Sequence, residues 1–369
     1  MKKKNLIAVI VILTLLAFGA ALSGCQKAEV PQETQPVKQG LAVENGDTYF
    51  YNEDGSLFTG GYKEVSTETG TDYYYFLPNA KAFSTGYKAV ELDGSTCHFF
   101  FEADGTAFTG GFKEVTIGDS TYLYYFGEDG KALTGCWFDT SETSFFFDES
   151  GRALKDCFHT VEGDLYYFDD QCAPVTGGWF CLEDGYYYAD EKGVLATDTV
   201  VDGYKLDAAG KSATKYRIIE YVNEHTDPAM TQQEKIDALY NWVLTNDMSY
   251  IRSYEHVKAD WVWHDGWVDD MAASLMDEWG GNCYRYAAFL GLLLREATEL
   301  PVTVYYGETP GLNVDLTPHG WPAVCQEGEW YIYDVEMDKY TEYDSSGCYK
   351  VLASESPLHL QGVGTDLYH

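Results

Sequence analysis

The sequence predicts a multidomain chain: a β-hairpin repeat solenoid followed by an α+β domain. Three observations carry this. A motif built of consecutive aromatics, an Asp-Gly-like pair, an apolar residue and Thr-Gly recurs at fixed spacing across the middle of the chain. After Thr214 the recurrence stops and helical spacing of apolar residues takes over. At 369 residues the chain is longer than one ordinary domain requires.

The N-terminal segment reads as an address. Lys2, Lys3 and Lys4 precede an uncharged apolar run from Leu6 to Leu22, the basic and apolar parts of a secretory signal. Leu22-Ser23-Gly24-Cys25 closes it. This ending resembles the lipobox of bacterial lipoproteins, which implies cleavage after residue 24, a lipid on Cys25 and a chain held on the outer face of the cytoplasmic membrane or in the wall. A second reading, an uncleaved membrane anchor, also places the remainder outside the cytoplasm. Residues 25–43 are mostly polar, with Pro31 and Pro36, and read as a flexible tether.

Residues 44–214 hold the repeats. The motif Tyr49-Phe50-Tyr51, Asp54-Gly55, Leu57, Thr59-Gly60-Gly61-Tyr62 returns around Ala80, Gly105 and Gly130, then at shorter spacing around Gly151, Cys172 and Gly193, and in degenerate form at Gly210. Aromatic runs favour strands, and Asp-Gly suits a tight turn, so each unit reads as a hairpin whose turn is the Asp-Gly pair. A lone hairpin cannot bury its aromatics, so neighbours must stack. The pattern resembles the cell-wall-binding repeats of Gram-positive surface proteins, a group that includes choline-binding modules. That resemblance implies docking to a wall or surface glycan through the aromatics of the Gly-aromatic step, here Tyr62, Tyr87, Phe112, Trp137, Phe158 and Trp179. The same aromatics also suit a solenoid core. Only two of the six are Trp, the best face for a quaternary ammonium, so the step departs from a choline site.

Residues 215–369 form the α+β part. Thr231 and Glu234 have capping-box spacing ahead of Ile236, Leu239, Tyr240 and Val243, which predicts a helix. Trp261, Trp263 and Trp267 mark a connection, and a short helix is expected from Asp270 to Trp279. Gly280-Gly281-Asn282 breaks it, and a further helix runs from Cys283 to Arg295. A thiol at a helix N-terminus faces unpaired N–H groups and the positive end of the dipole, which favour the thiolate.

Downstream, Val302–Gly307 alternates as a strand, and His319–Gln326 and Glu329–Asp334 form a hairpin around Glu327-Gly328. Pairing Gln326 with Glu329 sets Trp321 opposite Asp334 and His319 opposite Glu336, so His319 and Asp334 share a face. A carboxylate there would fix the imidazole tautomer, and the imidazole would deprotonate a cysteine. The blocks Gly281-Asn282-Cys283-Tyr284-Arg285-Tyr286-Ala287, His319-Gly320-Trp321 and Gly328-Glu329-Trp330-Tyr331-Ile332-Tyr333-Asp334 resemble the transglutaminase-like branch of the papain-like cysteine protease superfamily. The resemblance implies Cys283 as nucleophile, His319 as base and Asp334 as third member. It also implies attack on protein or peptide amides, with a thioester resolved by an amine or by water. Trp242, Trp267 and Trp279 are candidates for an indole aiding the oxyanion. The rival reading is a wall-binding or adhesion protein whose transglutaminase fold is inert.

The remaining polar residues give little. His264-Asp265 and Asp269-Asp270 read as a solvated loop, His225, His256 and His359 belong to no pattern, and no Cys-x-x-Cys spacing suggests zinc, so neither a metal nor a cofactor is expected. Setting aside Cys25 and Cys283, seven of the nine cysteines remain, an odd number that cannot all pair within one chain. With 24 Lys+Arg against 59 Asp+Glu and a formal net charge of -35, the chain lacks the cationic footprint a nucleic-acid partner demands. With 45% hydrophobic residues it is not a disordered chain.

Overall fold

The computed structural model describes residues 37–68, 70–251, 264–310, 316–340, 348–357 and 359–367. Cys25, most of the tether, Trp261 and Trp263 lie outside the described residues. The described residues up to 109 and those from 110 onward form two compact units. No helix among the described residues is long and apolar enough to cross a membrane.

Eight antiparallel hairpins occupy the repeat region. The first unit holds β1 (Gly40–Glu44) with β2 (Asp47–Tyr51), β3 (Gly61–Thr67) with β4 (Gly70–Phe76), and β5 (Gly86–Leu92) with β6 (Ser95–Phe101). The second holds β7 (Gly111–Ile117) with β8 (Ser120–Phe126), β9 (Cys136–Asp139) with β10 (Ser144–Phe147), β11 (Cys157–Val161) with β12 (Asp164–Phe168), β13 (Gly178–Leu182) with β14 (Gly185–Ala189), and β15 (Thr199–Val201) with β16 (Tyr204–Leu206). From β3 to β8 the strands are seven residues long; from β9 to β14 they are four or five.

The hairpin turn is not where the sequence reading put it. The aromatic run is the second strand, and the turn at its start, such as Asn45-Gly46 or Asp93-Gly94, joins the two strands. The Asp-Gly pair lies after the aromatics and folds the chain back so that an apolar residue bridges to the strand end, as in Tyr51↔Leu57, Phe101↔Ala107 and Phe147↔Ala153. Both turns need a left-handed residue, so turn chemistry alone does not say which one closes the hairpin. The register itself is as read: Gly55, Ala80, Gly105, Gly130, Gly151, Cys172, Gly193 and Gly210 all have positive φ.

After several fold-backs the chain bonds to the preceding hairpin of the same unit. Ala107 N–H donates to Tyr73 O at 2.8 Å in the first unit, and Ala153 N–H to Leu123 O at 2.9 Å in the second. Stacking buries the aromatics: Phe99 and Phe101 form one core with Val90 and Ala107, and Phe147, Ala153 and Cys172 another.

The α+β part opens directly from the last repeat. β17 (Lys211–Ser212) pairs back onto β14, and the Ser212 side chain caps α1 (Ala213–His225). The sequence reading did not identify α1. The capping box of Thr231 and Glu234 starts α2 (Gln232–Thr245). The two-residue β18 (Ser249–Tyr250) pairs in parallel with β19 (Gly280–Gly281). Between them α3 runs Trp267–Glu278, three residues earlier at its start than expected, because Gly266 in the left-handed conformation turns the chain without a side-chain cap.

Next, α4 (Cys283–Ala297) is apolar on nearly every side and almost wholly buried. It packs on an antiparallel sheet ordered β23-β22-β21-β20-β24, comprising β20 (Val302–Pro310), β21 (Leu316–Gln326), β22 (Glu329–Tyr333), β23 (Tyr349–Leu352) and β24 (Leu360–Leu367). Helix and sheet meet closely at Gly291, where a Cβ would stand 2.4 Å from Val304 Cγ2. A short α5 (Val335–Tyr340) follows β22. No described cysteine is in a disulfide.

The last hairpin and the α+β part share a buried junction. Tyr204 is fully buried, with the Lys215 and Arg295 cations 4.7 and 5.2 Å from its ring. Lys215 pairs with Glu296 at 2.9 Å, and Arg295 donates to Asp202 O at 2.6 Å. Asp269 departs from the solvated loop expected for it. It is buried in the first turn of α3, where it accepts from Lys205 N–H at 3.0 Å and the Thr214 hydroxyl at 2.8 Å. Its neighbour Asp270 pairs with Lys205 at 2.6 Å and lies 3.3 Å from His264 Nε2.

Candidate functional site

Cys283 is the first residue of α4. Asn282 caps the helix by accepting from Arg285 N–H, which leaves the earliest N–H groups without intrahelical partners. β21 crosses this helix start closely: a Cβ on Gly320 would stand 2.8 Å from Tyr284 Cδ1 and 3.3 Å from Tyr284 Cα. Glycine therefore lets the strand carrying His319 approach the helix start carrying Cys283, close enough for the thiol to act electrostatically on the imidazole.

His319 is buried, and its Nε2 donates to Asp334 Oδ2 at 2.5 Å. The predicted register holds from Gln326↔Glu329 to Ala323↔Ile332. It does not reach His319 and Glu336, because β22 ends at Tyr333 and Asp334 caps α5, its Oδ1 accepting from Met337 N–H at 3.1 Å. His319 instead pairs with Gly307 of β20, and Glu336 comes to 3.9 Å from His319 Nδ1 from the first turn of α5.

With Nε2 on the carboxylate, Nδ1 is the ring nitrogen left for another partner. Trp321 stacks on the imidazole with centroids 6.0 Å apart. Burial works against an imidazolium here, yet Asp334 and Cys283 outweigh it and raise the His319 pKa well above its ordinary value. Burial also opposes ionisation of Asp334; His319 and His359 overcome this and hold its pKa below the ordinary carboxylate value. Glu336 is pushed up to about 7 by burial.

Sequence reasoning missed His359. Its Nε2 lies 2.9 Å from the same Asp334 oxygen, and its Nδ1 lies 2.7 Å from Ser356 Oγ. No periodicity or motif links residue 359 to residue 334, so nothing in the sequence pointed there. His319, Asp334 and His359 offer donor atoms within 4.8 Å of one another. Their N···O separations of 2.5 and 2.9 Å are hydrogen-bond distances, shorter than the roughly 3.3 Å between ligand atoms around a tetrahedral zinc with bonds of about 2.0 Å.

The indole candidates are engaged elsewhere. Trp267 Nε1 donates to Thr365 at 2.9 Å and Trp279 Nε1 to Asp247 at 2.7 Å, while Trp242 stacks on His225 at 4.0 Å.

The repeat aromatics separate by environment. Tyr62 stacks with Tyr73 in the first core, and the Tyr87 hydroxyl bonds His98 Nδ1 at 2.5 Å. Trp179 belongs to the junction, its Nε1 donating to Asp202 at 2.7 Å with Lys215 Nζ 4.8 Å from the ring. Phe112 and Phe158 are partly exposed and each lies against other rings, Tyr125 and Tyr167 among them.

Trp137 lines two open clefts. One, of about 550 Å³, also has Tyr166, Glu142 and Glu191; the other, of about 690 Å³, has Phe146, His159 and Glu149. In the first unit, cation positions over the rings are filled from within. Lys63 Nζ lies 4.5 Å from the Phe50 ring and 5.1 Å from Phe58, and 25 residues on Lys88 Nζ lies 4.4 Å from Tyr75 and 5.1 Å from Phe83.

No protein-family model and no curated protein matches the chain. Solved structures do. Choline binding protein F from Streptococcus pneumoniae is 23% identical, with 48% of this chain and 57% of that chain covered and a TM-score of 0.35. The chain thus spans just over half the length of that protein. The choline-binding domain of CbpL from Streptococcus pneumoniae is 19% identical over 48% of this chain and 87% of that one, with a TM-score of 0.34. The modular autolysin LytC from Streptococcus pneumoniae is 15% identical over 47% and 42%, with a TM-score of 0.30.

Proposed function

We propose that the protein is a surface-anchored, transglutaminase-like cysteine enzyme that acts on amide bonds of proteins or wall peptides and is held at the wall by its repeats. The observation that carries this reading is the arrangement of half-buried Cys283 at the start of α4, buried His319 on the strand that crosses it closely, and buried Asp334 bonded to the imidazole. His319 takes the thiol proton as Cys283 Sγ bonds to the amide carbon. The C–N bond then breaks, the departing amine or ammonia takes that proton from His319, and a thioester remains on Cys283. Water resolves the thioester to a carboxylic acid; a primary amine resolves it to a new amide. N–H groups at the helix start supply donors for the developing oxyanion.

The test is thiol-dependent ammonia release, incorporation of a fluorescent primary amine, or peptide cleavage by the purified protein over a panel of glutaminyl and wall peptides. Cys283→Ala sets the baseline, and wild type at that baseline throughout removes the enzymatic reading. For wall attachment, the aromatic and acidic clefts at Trp137 support recognition of a glycan or a cationic group. Trp137→Ala is expected to lower retention on purified wall fragments severalfold. Equal retention of variant and wild type removes Trp137 from the attachment site.

A further inference from the structure

We infer that His359 is a positioning residue for the cysteine site: its Nε2–H donates a second hydrogen bond to Asp334 Oδ2, the oxygen that also accepts from His319, and so fixes the carboxylate on which the His319–Cys283 pair leans. This rests on the reading of Cys283 as nucleophile. An ionised carboxylate only accepts, so two imidazole nitrogens at 2.5 and 2.9 Å from one oxygen must both carry hydrogen. In the neutral His359 ring this leaves Nδ1 bare, to accept from the Ser356 hydroxyl at 2.7 Å.

With Met337 N–H on Oδ1, the Asp334 carboxylate has three donors and no freedom to rotate. The His359 side chain is fully buried, and Trp321 stands against both rings, with centroids 6.0 Å from His319 and 5.0 Å from His359. His359 enters from the segment between the short 3-10 turn Ala353–Glu355 and β24, so this stretch of chain is tied to the site through one bond.

The ionisable groups around this network are Cys283 from α4, Glu336 at 3.9 Å from His319 Nδ1, and Asp338 and Tyr240 on the backbone side of Asp334. Of the two histidines, both counter the burial of Asp334, and removing His359 removes one of these counterweights. Asp334 then takes up its proton at higher pH, and the His319–Cys283 pair fails from the acid side sooner.

The readout is the rate of iodoacetamide alkylation at Cys283 from pH 4 to 9, followed by peptide mass spectrometry on the purified protein. Variants are His359→Leu and His359→Gln, the latter keeping an N–H donor, with far-UV circular dichroism to verify folding. His359→Leu is expected to slow alkylation at pH 6 about tenfold, the scale of one hydrogen bond to a charged group, and to move the acid-side inflection upward. His359→Gln stays within about threefold of wild type by the same reasoning.

A folded His359→Leu with the wild-type profile overturns the inference, as does a His359→Gln that falls as far as His359→Leu. Should His359→Leu not fold, Ser356→Ala decides: it frees the His359 tautomer and must shift the profile in the same direction, and an unchanged profile overturns the inference. A wild-type Cys283 that reacts like free cysteine across the range defeats the proposed enzyme itself. That result is distinct from an activated Cys283 indifferent to residue 359.

Discussion

Gly320→Ala tests the claim that a close crossing of strand and helix sets the site. The added Cβ would lie 2.8 Å from Tyr284 Cδ1 and 3.3 Å from Tyr284 Cα, where ordinary contact begins near 3.4 Å. Tyr284 is buried, so its ring has no room to swing clear. β21 and the start of α4 must therefore part by about 0.6 Å at this point, next to both His319 and Cys283. Misplacement by about 1 Å costs about a hundredfold in a positioned reaction, so about tenfold is expected here. Overpacking adds a stability loss of about 1–3 kcal/mol.

The assay is Cys283 alkylation at pH 6 alongside a denaturant melt. Gly291→Ala is the control: it overpacks the same helix against Val304 but lies eight residues along, about 12 Å from Cys283. It should lose stability with alkylation nearly intact. Gly320→Ala reacting at the wild-type rate would refute the argument, as would a Gly291→Ala that loses as much reactivity.

Glu336 gives a pH-dependent outcome. Its folded pKa of about 7 stands above the ordinary 4.5, so the folded state binds the extra proton and stability falls as pH rises from about 4.5 to 7. Glu336→Gln should flatten that fall and be the more stable protein at pH 8, by at most about 3 kcal/mol; a wild-type-minus-variant difference that does not change between pH 5 and 8 contradicts this. At the junction, Glu296→Ala leaves the Lys215 ammonium buried without its carboxylate and should cost about 3 kcal/mol in a denaturant melt. A loss below about 0.5 kcal/mol would mean the pair contributes no more than a surface bridge. In the first unit, Lys88→Ala should open the faces of Tyr75 and Phe83, giving a tetramethylammonium response in aromatic NMR shifts that wild type lacks. Equal responses would show that the lysine does not occupy the ring faces in solution.

What could be read from the sequence was whatever repeats or caps locally. The turn register from Gly55 to Gly210, the capping box at Thr231 and Glu234, the glycine break before Cys283 and the Glu327-Gly328 turn are all encoded within a few residues. Alternation across that one turn was enough to put His319 and Asp334 on a common face, although the pairing ends before reaching them and Asp334 instead caps α5. The contacts that escaped depend on distant chain. His359 meets Asp334 only because β24 pairs with β20 at the sheet edge, and Asp269 is buried only because the last hairpin docks on α3. The choice between two left-handed turns in each repeat also escaped, because each is satisfied by the same residues.

The change in strand length along the repeats has a mechanical meaning. Every fold-back keeps the same bridge at the foot of its hairpin, from Phe126↔Ala132 to Phe147↔Ala153, so residues are lost only toward the tip. The β9–β10 hairpin continues by one pair, Thr140 with Thr143, before its two-residue turn, so each arm is two residues shorter than in β7–β8 and, at about 3.4 Å per residue, the tip is drawn in by about 7 Å. β9 carries Trp137. Within the second unit the hairpins thus come in two lengths on a constant foot, and Trp137 stands on the first of the short ones, beside a longer neighbour that overhangs it.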